Sequence, residues 1–579
     1  MSLPMPWQPL DPEAGNRYAL HYGDAANSWT SLEVMGVAGE RVGIKQQVYL
    51  PAQRTLRYSG SVFAKHLKGR SQLTIELIST ASHKMLASTK VNATEGAWRK
   101  YSFSLDVPAG SVERLEAVDF AIEVQPEERV QLDEISLMPA DAVDGMDPDV
   151  IAMAKAMDTS VLRFGGNFTS TYHWQDGVGP VDRRVSMRNL AWGIPEYNTF
   201  GTDEFLKFCQ LIGAEPQIDL NLGTGTPEEA EGWVRYIRKR YDGPVLWELG
   251  NELWGKYQFG YPSLNELPGQ TIAFSKAVQA ADPGGEMIAT GERPYDFHRW
   301  NAAQLEAPAG TYNYLSTHFI RVTNRVGVAN PSPDFLAEAA FALPVEAERR
   351  FQAMQAQIDG VPRFAGKTHL ALTEWLFSSH RNGKDVADED SPSFRNMGGA
   401  IVVAGVFNTL LRNANIVPIS DMTGIMEFAG IWKKRGQVFG TPSYYAFRMY
   451  STADAVRPVH VKWDSGNYSI RNGVWQMANI QNVPFLDVEA ALNAKGDVLT
   501  LFCVNRSTDH DLNAEIHLDG FKASRASVKV LRADSIYEGN DEVDPKRVIP
   551  TDSEHEVASD PIPHVFPHES VTVIAFQKK

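Results

Sequence analysis

Between about residue 160 and residue 420 the chain repeats one unit, a short apolar run followed by a longer amphipathic one. No other feature restricts the fold as much. The apolar runs predict strands over 161–164, 217–222, 245–249, 287–290, 314–318, 369–373 and 416–420. Between them, apolar positions at helical spacing predict helices over 202–212, 227–241, 268–281, 337–358 and 395–413. Strands alternating with helices build a parallel sheet from βα units. The expected fold is therefore a (β/α)8-type TIM barrel, with functional side chains where strands end and βα loops begin. Seven strands can be counted where closure needs eight.

Either side of this region the apolar period is two, giving an α/β plus all-β chain. Leu73, Ile75 and Leu77, then Tyr101, Phe103 and Leu105, then Val118, Phe120, Ile122 and Val124 alternate in the first part, as in a β-sandwich. Its last run, Val130 to Pro139, resembles the closing strand of carbohydrate-binding jelly rolls. Leu499, Leu501 and Cys503, and Val571, Val573 and Ala575, do the same near the end. At 579 residues the chain exceeds what one core serves. The expected domains are a jelly-roll sandwich over 1–140, the barrel over 141–453 and a C-terminal β-sandwich over 454–579. The polar stretch 534–560 is expected to be the loosest.

A formal charge of −16 excludes the clustered basic surface that phosphate backbones require, so no nucleic acid partner is expected. No run reaches the ~18 apolar residues of a membrane helix, and no basic-then-apolar start precedes the chain. A cytoplasmic protein without membrane attachment is the expectation. It agrees with Cys209 and Cys503 being widely separated thiols and not a disulfide. The histidines have no metal-ligand spacing and Gly223-Thr-Gly-Thr-Pro lacks the lysine of a phosphate loop, so neither metal nor cofactor is expected.

The polar residues at the predicted strand ends carry the chemistry: Asn167, Asn251-Glu252, Glu292, His318 and Glu374. Glu252 stands in Val-Leu-Trp-Glu-Leu-Gly-Asn-Glu-Leu-Trp-Gly, where Trp247 and Trp254 suggest an acid beside an apolar, sugar-sized cleft. Glu374 closes His-Leu-Ala-Leu-Thr-Glu. Two such carboxyl groups about 5 Å apart across a barrel mouth would suit a retaining glycosidase, one as nucleophile and one as acid/base. Each alone fits an ordinary structural ion pair equally well.

Taken together, Leu162-Arg-Phe-Gly-Gly-Asn-Phe, Tyr172-His-Trp-Gln-Asp-Gly-Val-Gly-Pro, Asn198-Thr-Phe-Gly-Thr-Asp-Glu-Phe, Gly250-Asn-Glu-Leu-Trp-Gly and Thr373-Glu-Trp resemble glycoside hydrolase family 51, the α-L-arabinofuranosidases and related enzymes. The resemblance spans roughly residues 140 to 450. It implies Glu252 as general acid/base and Glu374 as nucleophile, with Asn251 and Asn167 as amide ligands of the sugar. It also implies Trp192 lining the site, His318 near the nucleophile and Gln437 as a late polar ligand. The activity implied is exo-acting release of arabinose from arabinan or arabinoxylan fragments by double displacement, by a chain that could be a homo-oligomer. The alternatives are an endo-β-glycanase on the same barrel, or a carbohydrate-binding protein with an impaired site. A protonated Glu252 beside an ionised Glu374 would require a raised pKa at Glu252.

Two departures stand out. Family members begin with a barrel strand that carries a substrate-binding glutamate, and here the sandwich comes almost at once. Ile320 stands where the family has an aromatic hydroxyl two residues after the histidine.

Overall fold

The computed structural model describes residues 3–13, 17–67, 71–93, 96–322, 327–378, 380–381, 384–385, 391–473 and 478–579. Its first part is two five-stranded antiparallel sheets. Alternation sends Val34, Val62, Ile75, Ile122 and Val130 into a dry core between them. Arg54 joins this sandwich to the barrel by ion pairs to Asp141 at 2.5 Å and to Asp147 at 2.6 Å.

The barrel strands, numbered as they occur, are β1 (Val161–Phe164), β2 (Glu215–Asp219), β3 (Leu246–Leu249), β4 (Glu286–Ala289), β5 (Tyr314–Val322), β6 (His369–Ser378) and β7 (Ile419–Met422). They form one parallel sheet in sequence order. Among the described residues no eighth strand pairs into it, so β1 and β7 each have one unpaired edge. Alternation sorts the side chains. Ile218, Trp247, Leu249, Met287, Leu315, Leu370 and Leu372 pack outward against helices. Inward, Val161, Leu246, Ile288, Tyr314, Ala371 and Ile419 make a small apolar floor. Two residues further along β1, β3 and β7 the inward positions are polar: Arg163, Glu248 and Asp421. The barrel is thus closed by apolar packing at one end and charged toward the end where the βα loops begin.

The helices start where local chemistry allows. Thr226 accepts from the Glu229 amide at 3.2 Å and Pro227 opens the helix Pro227–Arg238, a first-turn position where a missing N–H is harmless. The expected helix over 337–358 is two, Pro333–Phe341 and Leu343–Asp359. Pro344 is the reason, since it suits a helix start and breaks an interior.

In the last part a six-stranded antiparallel sheet lays one face on the barrel, with Phe502, Val504, Val571 and Val573 joining the barrel core. Its other face carries a smaller core around Leu501, Cys503, Val528 and Phe576. Arg412 ties the two together through Glu348, Asp487 and Glu489. Cys209 and Cys503 are free and buried. The segment 534–560 is not loose. Ile536 and Val548 are buried in the barrel core, and the Glu538 and Ile536 carbonyls accept from the Met397 and Gly398 amides at 2.8 and 2.7 Å. Polar composition misled there because the segment uses its backbone groups to cap a helix. Among the described residues no helix is long and apolar enough to cross a membrane.

Candidate active site

The site begins with a sharp exit from β3. Gly250 has φ +84, and a Cβ there would stand 2.8 Å from the Leu253 side chain, so only glycine fits. Glu252 follows at φ +45, a sparsely populated conformation for a side-chain-bearing residue and one that clusters at functional sites. The turn delivers Asn251 and Glu252 into the barrel mouth, each almost completely buried.

Glu374 arrives from β6 and His318 from β5. One oxygen of each glutamate and a ring nitrogen of His318 all lie within 4.8 Å of one another. His318 Nδ1 is 2.8 Å from Glu252 Oε1 and 3.6 Å from Glu374 Oε2, while its Nε2 is 3.0 Å from Thr373 Oγ1. Tyr257 donates its hydroxyl to Glu252 Oε2 at 2.6 Å. Both oxygens of Glu252 are therefore partnered within the protein. This triad is the described group compact enough to share a cation, and hydrogen bonding already accounts for its geometry.

Arg163 on β1 is the hub beneath. Its guanidinium donates to Glu374 Oε1 at 2.7 Å, to Glu248 at 2.5 and 3.1 Å and to Asn251 Oδ1 at 2.8 Å. One buried cation thus orients the Glu374 carboxylate and the Asn251 amide together. Asn251 Nδ2 in turn donates to Asn167 Oδ1 at 2.8 Å, and Gln258 Nε2 donates to the same oxygen at 2.5 Å. That leaves the Asn167 amide N–H groups to face the cavity. Desolvation opposes charge on Arg163, but Glu248, Glu374 and Asp219 outweigh it and hold the cation well above its ordinary range.

The cavity at this mouth has a volume of about 680 Å³ and includes Arg163, Asn167, Trp192, Glu374, Phe394 and Asp421 in its walls. It continues between β1 and β7, beside Val161, Leu162 and Met422, where the unpaired strand edges stand. Asp421 Oδ2 is buried without a hydrogen-bond partner, and burial pushes this carboxyl up to about 8.

The electrostatics correct one expectation. Burial alone would raise Glu252, but the hydrogen bond and charge of His318, with help from the Tyr257 hydroxyl and Arg163, bring it below its ordinary value. His318 moves the other way, because Glu374 and Glu252 together overcome its desolvation. Both shifts favour a Glu252 carboxylate paired with an imidazolium over a protonated Glu252.

Two family models match the chain, the α-L-arabinofuranosidase 1 domain over residues 153–241 and the α-L-arabinofuranosidase C-terminal domain over 374–570. An α-L-arabinofuranosidase from Thermotoga maritima, solved with arabinose, superimposes with TM-score 0.65 at 28% identity, over 75% of this chain and 90% of that one. The chain belongs to glycoside hydrolase family 51. Among curated relatives, intracellular exo-α-(1→5)-L-arabinofuranosidase 1 of Bacillus subtilis is 26% identical over 442 residues, 70% of this chain and 84% of that protein. α-L-arabinofuranosidase C of Emericella nidulans is 27% identical over 408 residues, covering 66% and 79%. Arabinose-bound MgGH51 covers 99% of this chain and 91% of that one with TM-score 0.72, and at 16% identity it attests the fold.

Of the residues singled out by resemblance to family 51, the structure gathers Asn167, Trp192, Asn251, Glu252, His318 and Glu374 at one mouth. Gln437 is not among them. It starts the second strand of a hairpin, Ile431–Lys434 with Gln437–Gly440, whose turn at Gly436 lies against Tyr49 of the sandwich. Its Oε1 accepts from Arg114 at 3.1 Å. Trp247 is a second correction, since it faces away from the cleft and donates to Asp282 at 2.8 Å. An odd-numbered offset from Glu248 puts it on the other face of β3. The side chain of Ile320 lies outside the described residues. Arg163, Tyr257, Glu248 and Asp421 carried no expectation. A lone arginine at an inward position of the apolar run Val-Leu-Arg-Phe was the available signal for the first.

Proposed function

We propose that this chain is a retaining α-L-arabinofuranosidase that releases terminal arabinose from arabinose-containing glycans, with Glu374 as nucleophile and Glu252 as acid/base. The supporting observation is the approach of the two carboxyl groups, whose nearest oxygens are within 4.8 Å. An inverting enzyme separates its pair by roughly 6.5–9.5 Å to admit water, and a retaining one by about 5 Å.

Glu374, oriented by Arg163, attacks the anomeric carbon and forms an ester as the glycosidic C–O bond breaks. The leaving oxygen takes a proton from Glu252, and this proton is held at rest on His318 across the 2.8 Å hydrogen bond. Water then enters, gives a proton to Glu252 and adds at the anomeric carbon, which frees Glu374. Asn251 and the free N–H groups of Asn167 hold sugar hydroxyls. The impaired-site alternative has less support, because both carboxylates are present and oriented. Cytoplasmic location and self-association belong to the same reading and are checked by cell fractionation and light scattering.

Hydrolysis of 4-nitrophenyl α-L-arabinofuranoside is the test. The expected result is turnover that disappears in Glu374→Ala while arabinose binding remains. Wild-type protein that binds arabinose without turning over the glycoside would contradict the proposal.

A further inference from the structure

The sandwich carries two large aromatic side chains into solvent, Tyr22 and Trp29, each 67% exposed. They flank the tip of the hairpin Tyr18–Tyr22 with Thr30–Met35. This tip is held firmly. Asp133 accepts from the Ala26 and Asn27 amides at 2.9 and 3.1 Å, Asp24 accepts from the Trp98 indole at 3.1 Å, and the Gly23 amide donates to the Trp29 carbonyl at 2.8 Å. The Trp29 ring lies over Gly23, where a Cβ would meet it at 3.4 Å. The rings are thus presented on an ordered support.

The same tip touches the rim of the active site. Asn27 Nδ2 donates to the Arg184 carbonyl at 2.7 Å, and the Ser186 amide donates to Ser28 Oγ at 3.0 Å. From Ser186 the chain runs directly into the short hairpin Met187–Arg188 with Pro195–Glu196. Its turn is tied by Asn189 Oδ1, which accepts from the Ala191 and Trp192 amides at 3.1 Å each. Leu190, Trp192 and Ile194 are more than half exposed on it, and Trp192 also lines the cavity that contains Glu374. Exposed apolar side chains thus stand on both sides of the Ser28–Ser186 contact, Trp29 on the sandwich and Leu190, Trp192 and Ile194 on the turn whose Trp192 reaches the cavity.

Exposed apolar surface of this kind marks a binding site. The charge of −16 disfavours an anionic membrane as the occupant. Flat, partly polar rings suit the C–H faces of sugar rings, whose hydroxyls stay in water, and the tip that carries them is hydrogen-bonded to the segment running into the Trp192 turn of a cleft read as a sugar site. We propose that Trp29, Tyr22 and the 190–194 turn bind the main chain of a neutral polysaccharide whose arabinose terminus lies between Glu252 and Glu374. This rests on the reading under Proposed function and assigns the N-terminal sandwich to polymer recognition.

The test compares wild type with the double variant Trp29→Ala/Tyr22→Ala on arabinoxylan and on 4-nitrophenyl α-L-arabinofuranoside. Loss of two stacking rings is expected to lower kcat/KM on the polymer about tenfold, through KM. The aryl glycoside should change less than twofold, and Trp29→Phe should retain polymer turnover. Equal losses on both substrates, or no loss on either, would overturn the proposal. Affinity electrophoresis in the same polysaccharide reads binding without turnover. Retardation of wild type and not of the variant supports the surface, and equal mobility of the two overturns it. Wild type that fails on the aryl glycoside but is retarded by polymer contradicts the catalytic reading alone.

Discussion

Glu248 on β3 and Asp421 on β7 both point into the barrel, yet their surroundings differ. Glu248 is clasped by Arg163 through two hydrogen bonds and by Gln217 Nε2 at 3.2 Å. Asp421 stands beside the opening between β7 and β1, has an unpartnered oxygen and is pushed up to about 8 by burial. Glu248 is compensated by its donors, whereas Asp421 is left to keep its proton. The two differ in whether the Arg163 guanidinium donates to them.

Substitution should break this comparison in opposite directions. Glu248→Gln leaves Arg163 buried with fewer counter-charges, and about 3–5 kcal/mol of unfolding free energy should be lost, read by urea denaturation at neutral pH. A loss below about 1 kcal/mol would mean that the clasp has little structural weight.

Tyr257→Phe has an intermediate effect. The ring is 58% exposed, so packing changes little, but Glu252 loses a donor to its charged form. The proton shared by Glu252 and His318 is then held to higher pH. The basic limb of kcat/KM should move to higher pH. An unchanged limb with a changed KM would make Tyr257 a sugar contact and nothing more.

Asp421→Asn should change stability in the opposite direction. The native carboxyl binds its proton more tightly than the unfolded one, so wild-type stability falls as pH rises from the ordinary value of 3.8 toward about 8. The variant lacks this loss. Its thermal midpoint relative to wild type should climb between pH 5 and pH 8 and then level off. A constant difference across that range would show that Asp421 is not perturbed as described.

Much of the fold was legible because period two and helical period are both strong where one face is buried. The same logic showed seven strands and no more. Strand ends also offered Glu252 and Glu374, although either carboxylate alone fits a structural ion pair and only the two together pointed to a site. What was hidden depends on partners remote in sequence. The protonation state of Glu252 turns on His318, 66 residues away, which no local pattern encodes. Gln437 was misplaced because a hairpin glutamine can face a cleft or a neighbouring domain, and only the turn at Gly436 lying against Tyr49 and the Arg114 hydrogen bond to Gln437 decide. Tyr257 was silent because a loop tyrosine five residues after a glutamate is ordinary until the turn brings its hydroxyl back.

The stereochemistry of the first product tests the central claim most directly. Proton NMR of early turnover of 4-nitrophenyl α-L-arabinofuranoside in water with added methanol distinguishes one displacement from two. Glu252 and Glu374 acting as acid/base and nucleophile should give the methyl α-L-arabinofuranoside, with configuration retained. A β-configured first product would mean a single displacement and would contradict the roles assigned to this pair.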